Sequence, residues 1–105
     1  MIECDAELRV LDWNDAARRL LGLPLDAVRG TNFLKLVMDE EFATPNTAKI
    51  VSAARVNEPC AVYGLFRDHQ GVERHGTFSA VPNFPADGTP GRIALVVTDI
   101  QLIAA

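Results

Sequence analysis

The chain has 105 residues, of which 49% are hydrophobic, and this suffices for one domain with a core but not for two. Its formal net charge of -4 comes from scattered acidic and basic residues, so no basic block of the kind that binds nucleic acid is present. No apolar run approaches the length of a membrane span, and no signal-peptide pattern opens the sequence. These features predict a cytoplasmic globular domain without nucleic-acid or membrane contact.

Two short strands and a helix are predicted at the start of the chain. The segments 1–4 and 8–13 lean apolar and are separated by turn residues, which favours a hairpin. Asn14 then suits the N-cap of a helix, and Gly22 suits its end, because glycine readily takes the left-handed conformation found there.

Three further helical segments are predicted before the chain returns to strands. The segment 23–30 favours a short helix closed by glycine, and 33–37 favours one helical turn capped by Thr31 or Asn32. The acidic segment 38–43 is expected to be a loop or a helical turn. A Thr-Pro pair then predicts a longer helix from Pro45 to about Val56, because proline is favoured at the first helical position.

The last part of the chain predicts three strands joined by two turns. The segments 61–67, 73–81 and 92–98 are rich in β-branched, aromatic or alternating residues. A turn at 68–71 separates the first two, and a loop rich in proline and glycine that begins at Pro82 separates the last two. Together with the first hairpin they predict an α+β fold, a five-stranded antiparallel sheet with several short helices on one face.

Six landmarks, in this order and spacing, resemble the PAS domain family, also called the sensory box. They are the capping asparagine, two spaced glycines, an arginine-to-glycine turn, a proline after the fourth strand and the start of a terminal Asp-Ile-Thr motif: Asn14, Gly22, Gly30, Arg67 to Gly71, Pro82, and Asp99 with Ile100. Gln101 replaces the threonine of that motif. The resemblance covers essentially the whole chain and implies a single PAS domain over 1–105, excised from a larger multidomain signalling protein.

The resemblance implies a ligand cavity between the helices and the inner sheet face. Its predicted wall is apolar and consists of Val62, Gly64, Phe66, Gly76, Phe78, Ala80, Ile93, Leu95 and Val97, with Phe33, Leu36 and Ile50 from the helices. Gly64, Gly76 and Ala80 have little or no side chain and are expected to leave room for a small, mostly apolar molecule. The alternative is that Phe33, Leu36, Phe42 and Ile50 fill the room as ordinary core.

No cofactor is predicted from the resemblance. Light-oxygen-voltage members carry a flavin-reactive cysteine where this chain has Phe33, and flavin-binding amides where it has Phe66, Gly76 and Val97. Haem-binding members use a histidine on the long helix, and 45–56 contains none. His69 and His75 are instead expected at the surface, the latter on the outer sheet face.

Neither a metal site nor a catalytic site is predicted. The adjacent carboxylates of 39–41 are more typical of a solvated surface than of a metal site. Cys4 and Cys60 are expected to be reduced and to serve packing. A small enzyme that uses Arg74 and Asp12 in one pocket is the weakest alternative.

The outer face of the same strands is too apolar to be left in water. Its candidate interface residues are Tyr63, Leu65, Val81 and Val96. A flanking helix or domain, or a second copy in a homodimer, is expected to cover it. Asp99, Ile100 and Gln101 are expected to relay the state of the pocket to a C-terminal output domain such as a histidine kinase of a two-component system, a cyclic-dinucleotide enzyme or a transcription regulator. The alternative is a ligand-free module that uses this face for dimerisation.

Overall fold

The structure is a computed structural model that describes residues 1–68 and 70–102, with 99–102 described by their backbone only. Strands and helices in this part of the chain follow the order β1 Ile2–Asp5, β2 Val10–Trp13, α1 Asp15–Leu21, α2 Leu25–Val28, α3 Phe33–Val37, α4 Glu40–Arg55, β3 Cys60–Arg67, β4 Glu73–Asn83 and β5 Arg92–Leu102. The strands form one sheet in the order β2-β1-β5-β4-β3, and all neighbours are antiparallel. The predicted five-stranded antiparallel sheet with short helices is confirmed.

The predicted helix caps at Asn14 and Gly22 are present, and of the two candidates for the cap of α3, Thr31 and Asn32, it is Asn32 that forms it. The Asn14 side chain accepts a hydrogen bond from the Ala17 N–H at 2.9 Å, and the Asn32 side chain accepts one from the Lys35 N–H at 3.2 Å. Gly22 ends α1 with φ 70, in the left-handed region that glycine enters without strain. These local bonds define where the short helices begin and end.

The predicted start of the long helix at Pro45 was wrong, because α4 begins at Glu40 and Pro45 lies inside it. The Asp39 carbonyl accepts a hydrogen bond from the Ala43 N–H at 2.9 Å, so the first turn of the helix forms before the proline is reached. Pro45 removes only the hydrogen bond to the Glu41 carbonyl. Both residues are exposed, and water can satisfy that carbonyl.

The strands also differ from the prediction at their ends. β4 continues through Pro82, which is paired with Ile93, and β5 continues to Leu102. Proline is tolerated because β3 begins at Cys60, opposite Ala80, so no β3 backbone faces Pro82. β2 starts later than predicted because the preceding turn ends at Leu8, whose φ of 63 is not that of a strand. α2 is shorter than predicted for the same segment.

The core lies between the inner sheet face and the four helices of the described chain. At its centre the ring of Phe78 packs edge-to-face on Phe33 and on Phe66, with centroid distances of 5.6 Å and 5.3 Å. Such pairs add to the stabilisation from burying the rings themselves. None of the described helices combines the length and hydropathy that crossing a membrane requires.

Candidate functional site

The residues predicted to line a cavity lie on the inner side of the sheet or on the helices that cover it. Most of them are buried: Phe33, Ile50, Val62, Phe66, Gly76, Phe78, Ala80, Ile93 and Leu95. Three are half-buried: Leu36, Gly64 and Val97. Phe42, considered as core filling on sequence grounds, is 56% exposed and lies outside the core. Registration against the PAS family, combined with period-two alternation, therefore identified the inner face, but it could not place a residue of α4.

The space expected above Gly76 is occupied by a neighbouring ring. A Cβ built on Gly76 would lie 2.9 Å from Cε1 of Phe66. Phe66 is buried and packs on Phe78, so the glycine makes room for a side chain of the chain itself. Gly64 behaves differently, because a Cβ there would meet nothing within 4 Å. It opens towards solvent at the edge of the sheet.

An apolar groove of about 320 Å³ lies between α1 and the middle of the sheet. This α1 groove is lined by Met1, Ile2, Ala16, Ala17, Leu20, Leu95, Val96 and Val97. Leu95 and Val97 are the predicted pocket residues that it contains, whereas its α1 side was missed. The sequence feature that could have predicted this side of the groove is the pair of adjacent alanines, Ala16 and Ala17. Their small side chains leave space between the helix and the strands.

A second groove of about 270 Å³ lies between α4 and the edge strand β3. This edge groove is lined by Met38, Phe42, Asn46, Tyr63, Gly64 and Leu65. Phe42 and Asn46 are one helical turn apart and therefore project from the same side of α4. Gly64 contributes no side chain, which leaves the middle of the groove open.

The outer sheet face exposes large apolar side chains. The exposed fractions are 65% for Tyr63, 49% for Leu65, 53% for Val81 and 39% for Val96. His75 lies on this face as predicted, and its Nδ1 is 2.8 Å from the Tyr63 hydroxyl. The prediction for His69 lies outside the described residues, as do those for the side chains of 99–101.

The pair suggested for a small enzyme is not brought together. Asp12 lies on β2 and Arg74 on β4, and two strands separate them. Arg74 instead contacts the Asp68 carboxylate at 3.3 Å.

No group of three or more histidine, cysteine, aspartate or glutamate residues is placed to hold a metal ion within 1–68 and 70–102. Within the acidic segment 39–41, Asp39 accepts a hydrogen bond from the Arg67 guanidinium. This hydrogen bond and the positive charge of Arg67 lower the pKa of Asp39.

One buried polar group has no partner in the described part of the chain. The indole N–H of Trp13 makes no hydrogen bond there, although the residue is only 9% exposed. Trp13 lines neither of the two apolar grooves but a separate surface pocket of about 130 Å³, together with Met1, Glu3, Asp12 and Asn14. A buried donor without a partner is costly, so this N–H lowers the stability of the domain.

The two cysteines are expected to differ strongly in reactivity. Burial, followed by the charges of Asp5 and Glu3, raises the pKa of Cys4 to about 12, and its thiol is inaccessible. Cys60 is half-buried at the start of β3. We therefore expect a thiol reagent to label native protein rapidly at Cys60, and at Cys4 only at the rate of unfolding. Mass spectrometry of labelled peptides measures this, and rapid labelling of Cys4 in a Cys60→Ser variant would contradict it.

The antiparallel sheet, its helical cover and the adjoining apolar grooves define an α+β domain of the sensory type. A family model described as the PAS fold matches residues 1–102, and the chain therefore belongs to the PAS family. Comparison with curated protein sequences gives no significant match.

Solved structures show the same fold at low sequence identity. The PAS domain of the Cronobacter turicensis quorum-sensing receptor RpfR, in complex with BDSF, is similar with a TM-score of 0.68 and 16% identity over 98% of this chain and 91% of that one. The PAS domain of Bordetella pertussis BvgS gives a TM-score of 0.66 and 24% identity over 99% and 76%. A sensory box sensor histidine kinase from Vibrio cholerae gives 0.66 and 18% over 97% and 81%.

Proposed function

We propose that this PAS domain is a sensory module that binds a small, mostly apolar ligand and relays its state to a C-terminal output domain. The α1 groove is the observation that carries the proposal. Its volume of about 320 Å³ is at the lower end of the range of small-molecule sites, and its lining is apolar. The domain has no cofactor in this proposal, so its purified form is colourless.

The α1 groove suits a ligand with an apolar body, because apolar side chains line it. RpfR, which is 16% identical to this chain, is a PAS domain of the same fold whose structures contain bound BDSF or C12:0. C12:0 is therefore a reasonable first probe.

The route of the signal is proposed to be β5. Leu95 and Val97 line the α1 groove, and the same strand continues through Asp99, Ile100 and Gln101 to Leu102. A ligand that binds one arrangement of this strand more tightly than another shifts the population between them. Output through a histidine kinase in the cytoplasm is the favoured form, because the similar Vibrio cholerae protein is a sensor kinase.

A ligand-free dimerisation module is the second candidate, and the filled centre of the core favours it. Phe33, Phe66 and Phe78 pack together where a cavity was expected. In this version the outer sheet face docks a flanking helix or a second copy through Tyr63, Leu65, Val81 and Val96. An unchanged melting temperature with every apolar probe, together with a bare mass in native mass spectrometry, would favour this candidate.

Closing the α1 groove is expected to abolish ligand binding without unfolding the domain. Ala16 is exposed at the groove, so Ala16→Phe fills its mouth and leaves the core intact. We expect saturating C12:0 to raise the melting temperature of the unsubstituted chain by a few degrees, and to have no effect on Ala16→Phe. Ala27→Phe, at an exposed position of α2, is the matched control and keeps the full shift. A full shift in Ala16→Phe would exclude this groove as the site.

A further inference from the structure

The two edge strands of the sheet, β2 and β3, differ in whether other segments form hydrogen bonds with their free backbone groups. At the β2 edge, the Val10 N–H donates to the Thr31 carbonyl at 3.0 Å, and the Gly30 N–H donates to the Val10 carbonyl at 2.8 Å. At the other edge, β3 is eight residues long, and no backbone hydrogen bond joins it to any described segment other than β4. A long edge strand with free backbone groups is a template for pairing with another strand.

Helix α4 runs alongside the β3 edge in the antiparallel direction. At one end Asp39 forms an ion pair with Arg67. At the other end the Lys49 ammonium donates to the Ala61 carbonyl at 3.4 Å. The edge groove lies between these two contacts, above Gly64.

We propose that a second copy of this chain pairs with β3 edge to edge, in the antiparallel direction, with a two-fold axis at Gly64. The contact from Lys49 indicates that the Ala61 carbonyl points away from β4. Since backbone groups alternate along a strand, those of Tyr63 and Leu65 point the same way. A two-fold axis at Gly64 places Tyr63 opposite Leu65 of the second copy, so these groups bond in pairs across the axis.

The side chains at this edge are complementary to their own copies. Two glycines meet at the axis, and a Cβ on Gly64 would meet nothing within 4 Å, so a gap remains on the inner side of the paired strands. Phe42 projects beside that gap from each α4 and is 56% exposed in the single chain. The two Phe42 rings fill the gap and lose their contact with water, which is the main apolar gain of the pairing.

The charges at the edge also favour two copies over another partner. The axis places Ala61 opposite Arg67 of the second copy, and therefore brings Lys49 of one copy to the acidic start of α4 in the other. That start carries Asp39, which is paired with Arg67, Glu40, which lies 3.9 Å from the Lys35 ammonium, and Glu41. The same attraction occurs twice in the dimer, as the two-fold symmetry requires.

Sedimentation equilibrium of the 105-residue chain tests this edge dimer. We expect a reversible dimer, with Phe42→Asp raising its dissociation constant by about tenfold or more. Val81→Asp is the matched control, because Val81 is similarly exposed at 53% but lies on the outer face away from β3. Circular dichroism of each variant verifies its fold. A chain that stays monomeric, or a dimer that Val81→Asp breaks and Phe42→Asp does not, overturns the proposal.

Charge reversal provides an independent test that does not depend on the apolar gap. Lys49→Glu and Glu41→Lys each place like charges together in their own homodimers, so each alone is expected to weaken association. Mixing the two variants restores opposite charges at both contacts. We expect the mixture to form a heterodimer more tightly than either variant forms a homodimer, and native mass spectrometry distinguishes the three species. No preference for the heterodimer contradicts the two-fold arrangement.

Discussion

Phe78→Ala is expected to lower the free energy of unfolding by about 3–5 kcal/mol, the range for deleting a buried phenylalanine ring. Phe78 has no exposed surface, and its ring is the one that packs on both Phe33 and Phe66. The deletion removes two edge-to-face pairs and leaves a cavity under α3. Against a total stability of about 5–15 kcal/mol for a small domain, this loss is severe. Urea denaturation followed by circular dichroism measures it.

Tyr63→Ala is the control for that experiment. Tyr63 also lies in the sheet and also contacts a ring, that of His75, but it is 65% exposed on the outer face. Its loss is expected to cost about 1 kcal/mol or less. Equal losses of unfolding free energy for the two variants would show that Phe78 is not at the centre of the core, and would contradict the assignment of the inner and outer faces.

The fold was predictable because its signals are local and repeat along the chain. Registration against the PAS family assigned Val62, Phe66 and Phe78 to the inner face, together with the alternation of side chains between the two faces of a strand. The helix caps at Asn14 and Asn32 were predictable for a similar reason, because a cap requires a short polar side chain next to the first helical turn.

The candidate site was less predictable because it depends on contacts between distant segments. The glycine at position 76 predicts free space, but only the packed structure shows that the Phe66 ring takes that space. The start of α4 was misplaced because Thr44-Pro45 is a strong local signal, whereas the helix also begins where Asp39 meets Arg67, a residue of β3. For the same reason Phe42 was considered for the core and is found at the sheet edge.

Asp68→Ala is expected to cost about 2 kcal/mol, because one carboxylate organises the turn between β3 and β4. Its Oδ1 accepts the N–H groups of Gln70 and Val72 at 2.9 Å and 3.0 Å, and its Oδ2 contacts Arg74 Nε at 3.3 Å. The Asp68 side chain is only 5% exposed, so alanine leaves these donors without their partner. Thermal or urea unfolding at neutral pH measures the loss.

The contribution of the Asp68 carboxylate to the free energy of unfolding is expected to depend on pH. Burial opposes ionisation of Asp68, but the hydrogen bonds from Val72, Gln70 and Arg74 outweigh it, and its pKa lies below the ordinary value of 3.8. A lowered folded-state pKa contributes stability that is complete above the unfolded-state pKa and is lost as the pH falls through the folded-state value. The difference in unfolding free energy between the unsubstituted chain and Asp68→Ala should therefore be constant near neutral pH and shrink in acid.

Asp68→Asn separates the charge of this side chain from its shape. The amide oxygen can still accept the N–H groups of Gln70 and Val72, but the attraction to Arg74 is lost, so we expect a smaller loss at neutral pH than for alanine. Asp39 also has a lowered pKa, owing to its hydrogen bond from Arg67, and it titrates in both proteins. Only the difference between each variant and the unsubstituted chain therefore reports on Asp68. A difference that grows as the pH falls would contradict the assigned sign.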